Sequence, residues 1–336
     1  MSDTRNTIAV LGDGGWGTAL AILLAQNGHD VRVWGPFPEY AEKLNREHFN
    51  PLYLPDVKIP DSIRFTADRA EAAAGADLAV LAVPTKFFRS ALEPFAPVMP
   101  ESCALLSVSK GLDPVMRCRM TEVAAGIFPG RPVAALSGPS HAEEVARGMP
   151  TAVVIAGRDA GYARKLQRIF MSPRFRIYTS DDVAGVEYGG AFKNVIAIAV
   201  GAADALGFGN NTRAALITRG LAEITRLGCK LGARPETFAG LSGMGDLIVT
   251  CTSRLSRNYN VGERLGRGES AESIVGGMKQ VAEGVSNCGL VRGLAIEAEI
   301  SAPIIEEVFS LIRGLKKPLQ AVRDLMTRDA RPESDS

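Results

Sequence analysis

Lys193 stands in an unusual stretch, Tyr188-Gly189-Gly190-Ala191-Phe192-Lys193-Asn194-Val195-Ile196-Ala197-Ile198-Ala199-Val200-Gly201, which is apolar almost all round. Such a stretch predicts a buried helix. Gly190, Lys193, Asn194, Ala197 and Gly201 recur at helical spacing on one face. That face carries no bulk except one amine and one amide. Small residues admit a ligand or another backbone at close range. An amine held there loses water, which draws its proton affinity toward neutrality and suits it to general acid chemistry on a small polar substrate. A tightly packed helix pair, with Lys193 reaching out to the surface, accounts for the same pattern.

A second group with chemistry in it is Gly12-Asp13-Gly14-Gly15-Trp16-Gly17. It follows an apolar run, Thr7 to Leu11, and opens a helical stretch, Thr18 to Gln26, closed by Asn27-Gly28. Strand, G-x-G-x-x-G and helix in that order predict a dinucleotide site. Gly12 permits the tight turn, Gly14 admits a pyrophosphate to the backbone, and Gly17 lets the helix pack on the strand. The helix start then offers amide donors and a partial positive charge to the phosphates. An acid after the second strand, Asp30 to Trp34, would favour NAD, and a nearby Arg would favour NADP. Here Gly35-Pro36-Phe37-Pro38-Glu39 follows, with neither directly after Trp34.

Two loops with polar clusters break the helical pattern further on. In Ser242-Gly243-Met244-Gly245-Asp246, glycines flank a carboxylate. In Thr250-Cys251-Thr252-Ser253-Arg254-Leu255-Ser256-Arg257-Asn258-Tyr259, Ser256 reads as the N-cap of a helix with Arg257 and Asn258 in its first turn. A hydroxyl, a guanidinium, an amide and helix N–H groups together suit a phosphate-bearing substrate. An ordinary capped helix with an exposed arginine would read the same way.

The elements that must position these groups divide the chain. Strands alternate with helices through the first half: Ser62–Thr66, Asp77–Val83, Cys103–Ser107, Val133–Leu136, Thr151–Ala156 and Phe175–Thr179 as strands, with helices at 68–75, 86–98, 115–128, 140–147 and 159–171 between them. This predicts an α/β fold of Rossmann type, a doubly wound parallel sheet whose last strands form an antiparallel, hairpin-like edge. Ligands sit at the carboxyl ends of such strands. Val83-Pro84, Ser109-Lys110-Gly111 and Ser137-Gly138-Pro139-Ser140 fall there, which makes Lys110 a cation at the cofactor edge. His141, without an acid nearby in sequence, reads as a surface residue at a helix start. After Gly201 strand signals nearly vanish, and helices at 212–227, stopped at Gly228, and at 235–241, 274–277, 290–300 and 304–314 predict an all-α second domain. The expected division is a dinucleotide-binding domain at 1–185, a helical substrate domain at 186–327 and a polar tail at 328–336.

Composition bounds the rest. The chain has 336 residues, long enough for two cores, and a net charge of +1 that offers no field for nucleic acid or a membrane surface. Five cysteines form no CxxC pair, and three histidines give no zinc spacing, so no metal is expected and a reducing cytoplasm is. The start reads as a run into a short strand rather than as a signal peptide, and the apolar runs are interrupted short of a membrane span.

With these residues in view, the chain resembles bacterial-type NAD(P)-dependent glycerol-3-phosphate dehydrogenases from about Ile8 to Leu325. The resemblance is carried by Gly12–Leu20, Ser109–Gly111, Ser137–Ser140, Lys193–Ala197, Gly240–Leu247, Thr252–Asn258 and Val281–Val285. It implies a Rossmann-like domain joined to a helical domain of the 6-phosphogluconate-dehydrogenase type. It implies interconversion of dihydroxyacetone phosphate and sn-glycerol 3-phosphate with NAD(P)H, serving glycerophospholipid synthesis. Lys193 would be the general acid/base. Lys110, Gly138, Ser140, Asp246, Ser256, Arg257 and Asn258 would join it at the substrate. Gly15, Trp16, Lys110, Ala142, Arg257, Val281 and Glu283 would join Gly12, Gly14 and Gly17 at the cofactor. Gly15 replaces a serine common in the family, which leaves it a backbone contact, and Pro36 replaces a basic residue that often reads the 2′-phosphate. Whether Asp246 orients Lys193 or a substrate hydroxyl stays open, as do the choice between NADH and NADPH and assembly as a homodimer. The competing readings are a two-domain dehydrogenase of another hydroxy acid or an acyl-CoA, and a dinucleotide sensor without chemistry.

Overall fold

The structure is a computed structural model that describes residues 5–278, 280–330 and 332–333. It forms two compact units, Met1–Val183 and Ala184–Ser336.

The first unit is built on an eight-stranded sheet of β1 (Thr7–Leu11), β2 (Asp30–Trp34), β5 (Arg64–Thr66), β6 (Leu78–Leu81), β7 (Ala104–Ser107), β8 (Val133–Ser137), β9 (Thr151–Gly157) and β10 (Phe175–Ser180). Their spatial order is β10-β9-β8-β7-β6-β1-β2-β5. The apolar runs of β1, β6 and β7 are buried on both faces, which is why they read as continuous rather than alternating. Ile8 and Val10 join the core under one face, with Leu20 and Leu24 of α1 (Gly15–Gln26). Ala9 and Leu11 join the other, with Phe88, Phe95, Met120 and Phe128.

The first unit's other helices are α2 (Pro38–Glu47), α3 (Arg69–Ala73), α4 (Phe88–Leu92), α5 (Met120–Ile127), α6 (Ala142–Ala146) and α7 (Ala160–Phe170). The strands are parallel except where β9 runs antiparallel to β8; β10 then runs parallel to β9. The expected antiparallel edge is therefore a reversed pair of strands joined through α7, not a hairpin. The first unit's helices expected beyond β5 are trimmed at their ends, and two of them are shortened most. The 86–98 stretch breaks into α4 between two 3₁₀ turns, Thr85–Phe87 and Glu93–Phe95, and α4 ends where Pro94 supplies no N–H to an α-helical ladder. The 115–128 stretch begins only at Met120, after Arg117 takes a left-handed conformation (φ 56°). A small hairpin, β3 (Phe49–Asn50) with β4 (Leu54–Lys58), was not foreseen, since two residues give no periodicity to read.

The second unit is all helical: α8 (Val183–Ala205), α9 (Asn210–Lys230), α10 (Pro235–Ala239), α11 (Asp246–Thr252), α12 (Arg257–Gly266), α13 (Ala271–Gly276), α14 (Glu283–Glu297), α15 (Pro303–Ile312) and α16 (Pro318–Met326). A five-residue π-helical turn, Leu241–Gly245, leads directly into α11 where the sequence suggested a loop. The α9 helix continues through Gly228, which the sequence suggested as a stop. A Cβ there would lie 2.1 Å from the Phe238 ring, so this glycine makes room for a neighbour rather than ending the helix. The central α8 has the length and composition of a membrane span, but 83% of its most apolar window is buried inside the protein. Its small residues allow backbones to touch: a Cβ at Gly201 would lie 2.1 Å from the Tyr259 carbonyl oxygen, and one at Gly262 would lie 2.1 Å from that of Ile198.

Candidate active site

In the first unit the Gly-rich turn has the shape that a dinucleotide needs. Gly12 adopts φ +125°, which favours glycine, and a Cβ there would lie 2.6 Å from the Ala82 carbonyl oxygen. A Cβ at Gly17 would lie 2.0 Å from the Gly12 oxygen, so α1 reaches the turn only because residue 17 has none. Gly14, by contrast, faces open space with no atom within 4 Å of where a Cβ would stand. This is the cradle a pyrophosphate requires, at the N-terminus of a twelve-residue helix. The residues therefore fit NAD(P). Gly15 is held by a neighbour: a Cβ would lie 2.5 Å from the Tyr53 carbonyl oxygen and 3.8 Å from the Ala142 Cβ. The overlooked β3–β4 hairpin thus leaves no room for a side chain at residue 15. Trp16 and Ala142 are partly buried, and each packs against the core of this unit.

At the carboxyl ends of β7 and β8, Lys110 Nζ donates to the Gly138 carbonyl oxygen at 2.9 Å and to Ser140 Oγ at 3.2 Å. Ser140 Oγ donates to the same Gly138 oxygen at 2.8 Å. Gly138 takes φ +133°, and a Cβ would lie 3.0 Å from the Val153 Cα. These three predicted substrate residues form one hydrogen-bonded group. His141 is partly buried and occupies the N-cap position of α6.

In the second unit Lys193 is 5% exposed and does not reach the surface. Its Nζ donates to Asp246 Oδ1 at 2.6 Å and to Thr250 Oγ1 at 2.6 Å. Thr250 Oγ1 donates in turn to the Asp246 carbonyl oxygen at 2.6 Å. Asp246 is 1% exposed, so the pair is a buried ion pair in which each charge offsets the other's loss of water. Thr250 was missed as a site residue. Its signal was the four-residue spacing from Asp246, which puts both on one face of α11. The small face of α8 therefore has two uses. Gly201 serves helix packing, as the plainer reading held, whereas Lys193 is fixed on a carboxylate.

Ser256 caps α12, accepting from the Tyr259 N–H at 3.2 Å. Arg257 Nη1 donates to the Val281 carbonyl oxygen at 2.8 Å, and Asn258 Oδ1 accepts from the Gly284 N–H at 2.9 Å. The first turn of α12 is thereby tied to the segment holding Val281 and Glu283, which brings those four predicted residues together. Asn258 commits its acceptor to structure and keeps its NH₂ as a donor, and Arg257 places a cationic guanidinium at the same helix turn. Among the described residues no group of three His, Cys, Asp or Glu could hold a metal ion.

Two family models match almost the whole chain. The N-terminal model of NAD-dependent glycerol-3-phosphate dehydrogenase covers residues 7–163, and the C-terminal model covers residues 182–323. The chain belongs to the NAD-dependent glycerol-3-phosphate dehydrogenase family. A glycerol-3-phosphate dehydrogenase [NAD(P)+] of Oleidesulfovibrio alaskensis is 49% identical over 97% of this chain and 99% of its own. That of Geobacter sulfurreducens is 47% identical over 97% of this chain and 98% of its own. A crystal structure of glycerol-3-phosphate dehydrogenase from Coxiella burnetii superposes with a TM-score of 0.93 at 36% identity, covering 96% of this chain and 99% of that one. This family member is thus an NAD(P)-dependent oxidoreductase with a Rossmann-like unit and an all-helical one.

Proposed function

We propose that the protein reduces dihydroxyacetone phosphate to sn-glycerol 3-phosphate, with Lys193 as the general acid. The observation that carries this reading is the buried Lys193–Asp246–Thr250 group in a chain that matches the family along both units. When bound on the Gly12–Gly17 turn, NAD(P)H supplies the hydride. Lys193 Nζ stabilises the negative charge that develops on the C2 oxygen and delivers a proton to it; solvent then restores the amine's proton. Asp246 holds the amine in place through its 2.6 Å hydrogen bond, and this supports the first of its two readings, orienting Lys193. Thr250 restricts the amine from a second side. Arg257 and the Asn258 NH₂ hold the substrate phosphate, and Lys110, Gly138 and Ser140 complete the substrate contacts carried by the first unit. Val281, Glu283, Trp16 and Ala142 belong to the cofactor set. The division into a dinucleotide domain at 1–185 and a substrate domain at 186–327 is part of this proposal, as are residence in the cytoplasm and assembly as a homodimer.

The test is the initial rate of NADH or NADPH oxidation with dihydroxyacetone phosphate, followed by absorbance. Turnover with either cofactor is expected. The reverse assay, with glycerol in place of glycerol 3-phosphate, should give none, because nothing then engages Arg257. No turnover with either cofactor would reject the substrate assignment.

A further inference from the structure

The acid that reads the adenosine ribose in NAD-binding Rossmann units stands after the second strand, about 20 residues beyond the Gly-rich turn. Here β2 runs Asp30-Val31-Arg32-Val33-Trp34, and Gly35 occupies that place with no side chain at all. The space is filled from elsewhere. A Cβ on residue 35 would lie 2.1 Å from Asp13 Oδ2 and 2.5 Å from its Cγ. The carboxylate of Asp13, in the middle of the Gly-rich turn, therefore sits in the volume that a side chain at 35 would enter.

Its surroundings hold it there. The Asp13 carbonyl oxygen accepts from Asn50 Nδ2 at 2.8 Å and from Thr18 Oγ1 at 3.2 Å, which fixes the backbone of the turn. Gly12 N–H donates to the Trp34 carbonyl oxygen at 2.9 Å, and Gly35 N–H to that of Thr66 at 3.1 Å, which fixes the end of β2 against the same turn. Asp13 is 8% exposed, and its Oδ2 is buried without a hydrogen-bond partner. A buried carboxylate oxygen without a donor is costly and is rarely left so without a use. Burial pushes its pKa up to about 6. The titratable groups that feel its charge, Tyr40 of α2 and Tyr53 of the β3–β4 turn, are phenols whose own acidity is weakened by burial. They supply no counterion.

We infer that Asp13 is the residue that reads the adenosine ribose, accepting hydrogen bonds from its hydroxyls and excluding the 2′-phosphate of NADPH. The inference rests on the proposed dinucleotide enzymology and deepens it by assigning the cofactor preference. A carboxylate accepts from a 2′-hydroxyl but cannot pair with a 2′-phosphate, so discrimination comes from a repulsive element as well as an attractive one. Pro36 adds no cation to offset it.

The experiment is direct titration of the purified, folded protein with NADH and with NADPH, reading cofactor fluorescence enhancement without substrate, well above the pH at which Asp13 ionises. The wild type should bind NADH at least ~10-fold more tightly than NADPH. Asp13→Asn, which keeps the shape and removes the charge, should weaken NADH and strengthen NADPH until the two Kd values agree within about threefold. Asp13→Ala should lose the preference as well, and thermal melting of both variants establishes that they are folded. A wild type that binds both cofactors equally, or an unchanged ratio in a folded Asp13→Asn, overturns the assignment and leaves Asp13 as filler for the Gly35 notch. A wild type that binds neither cofactor refutes the dinucleotide reading itself, and this assignment falls with it.

Discussion

Lys193 and Arg257 act at different stages, and their substitutions should separate them. Lys193→Ala removes the proton donor and should lower kcat by about 10²–10⁴-fold while leaving the Kd for NADH nearly unchanged. Steady-state rates beside a fluorescence titration check this, and retained turnover would remove Lys193 from its role. Arg257→Ala removes a charge-assisted contact to the phosphate and should raise the KM for dihydroxyacetone phosphate by about 10-fold or more, with a smaller loss of kcat. An unchanged KM would place the phosphate elsewhere. Asp13 carries a prediction of stability. Its folded pKa, about 6, lies above the ordinary 3.8. The folded state therefore binds the proton more tightly than the unfolded chain does. The stability that this adds is complete below the ordinary value and is lost as pH rises through about 6. Asp13→Asn escapes the loss and should melt above the wild type at neutral and alkaline pH. That advantage, about 3 kcal/mol at most, should shrink toward acid. Parallel melting curves from acid to alkaline pH would show it.

At the scale of elements, glycines in helices have opposite meanings depending on what stands beside them. A Cβ at Gly262 of α12 would lie 2.1 Å from the Ile198 carbonyl oxygen, so Gly262→Ala must push α12 from α8 and should cost about 1–3 kcal/mol or more. At Gly126 of α5 nothing beyond the helix's own backbone lies within 4 Å of where a Cβ would stand, and Gly126→Ala should stabilise by about 0.4–1 kcal/mol. Chemical denaturation of the two variants measures both signs. The same contrast explains what sequence could show. The Gly12–Gly17 turn was legible because each glycine answers a local need of one strand and one helix. Gly228 was misread as a helix stop because its use depends on the Phe238 ring, which no local pattern announces. Pro94 did break a helix, yet the apolar spacing of 86–98 concealed it. Lys193 drew attention through its small neighbours, but its carboxylate lies 53 residues away, and only the fold pairs the two.

The whole molecule was more legible than its details. Strand–helix alternation predicted the parallel sheet, and the loss of strand signals after Gly201 predicted a helical second unit. The reversal of β9 against β8 was only partly foreseen, because strand direction leaves no mark in composition. A ligand that binds only the folded chain stabilises the whole. NADH at about 100 times its Kd should add about 2.7 kcal/mol to the unfolding free energy of the wild type and raise its Tm accordingly. The same shift is expected in Lys193→Ala, whose cofactor turn is untouched. Calorimetry across a NADH series measures it, and a Tm insensitive to NADH would count against cofactor binding.

The close seating of α8 among its neighbours has a consequence in time. Ala191, Phe192 and the run Val195–Ile198 are fully buried, and their amides lie in the interior of a 23-residue helix. Exchange of such amides with deuterated solvent requires opening on the scale of the whole unit rather than fraying. The peptide carrying Lys193 should thus be among the last to take up deuterium. Heat should then extinguish activity at the temperature where that peptide becomes exchangeable, not before it.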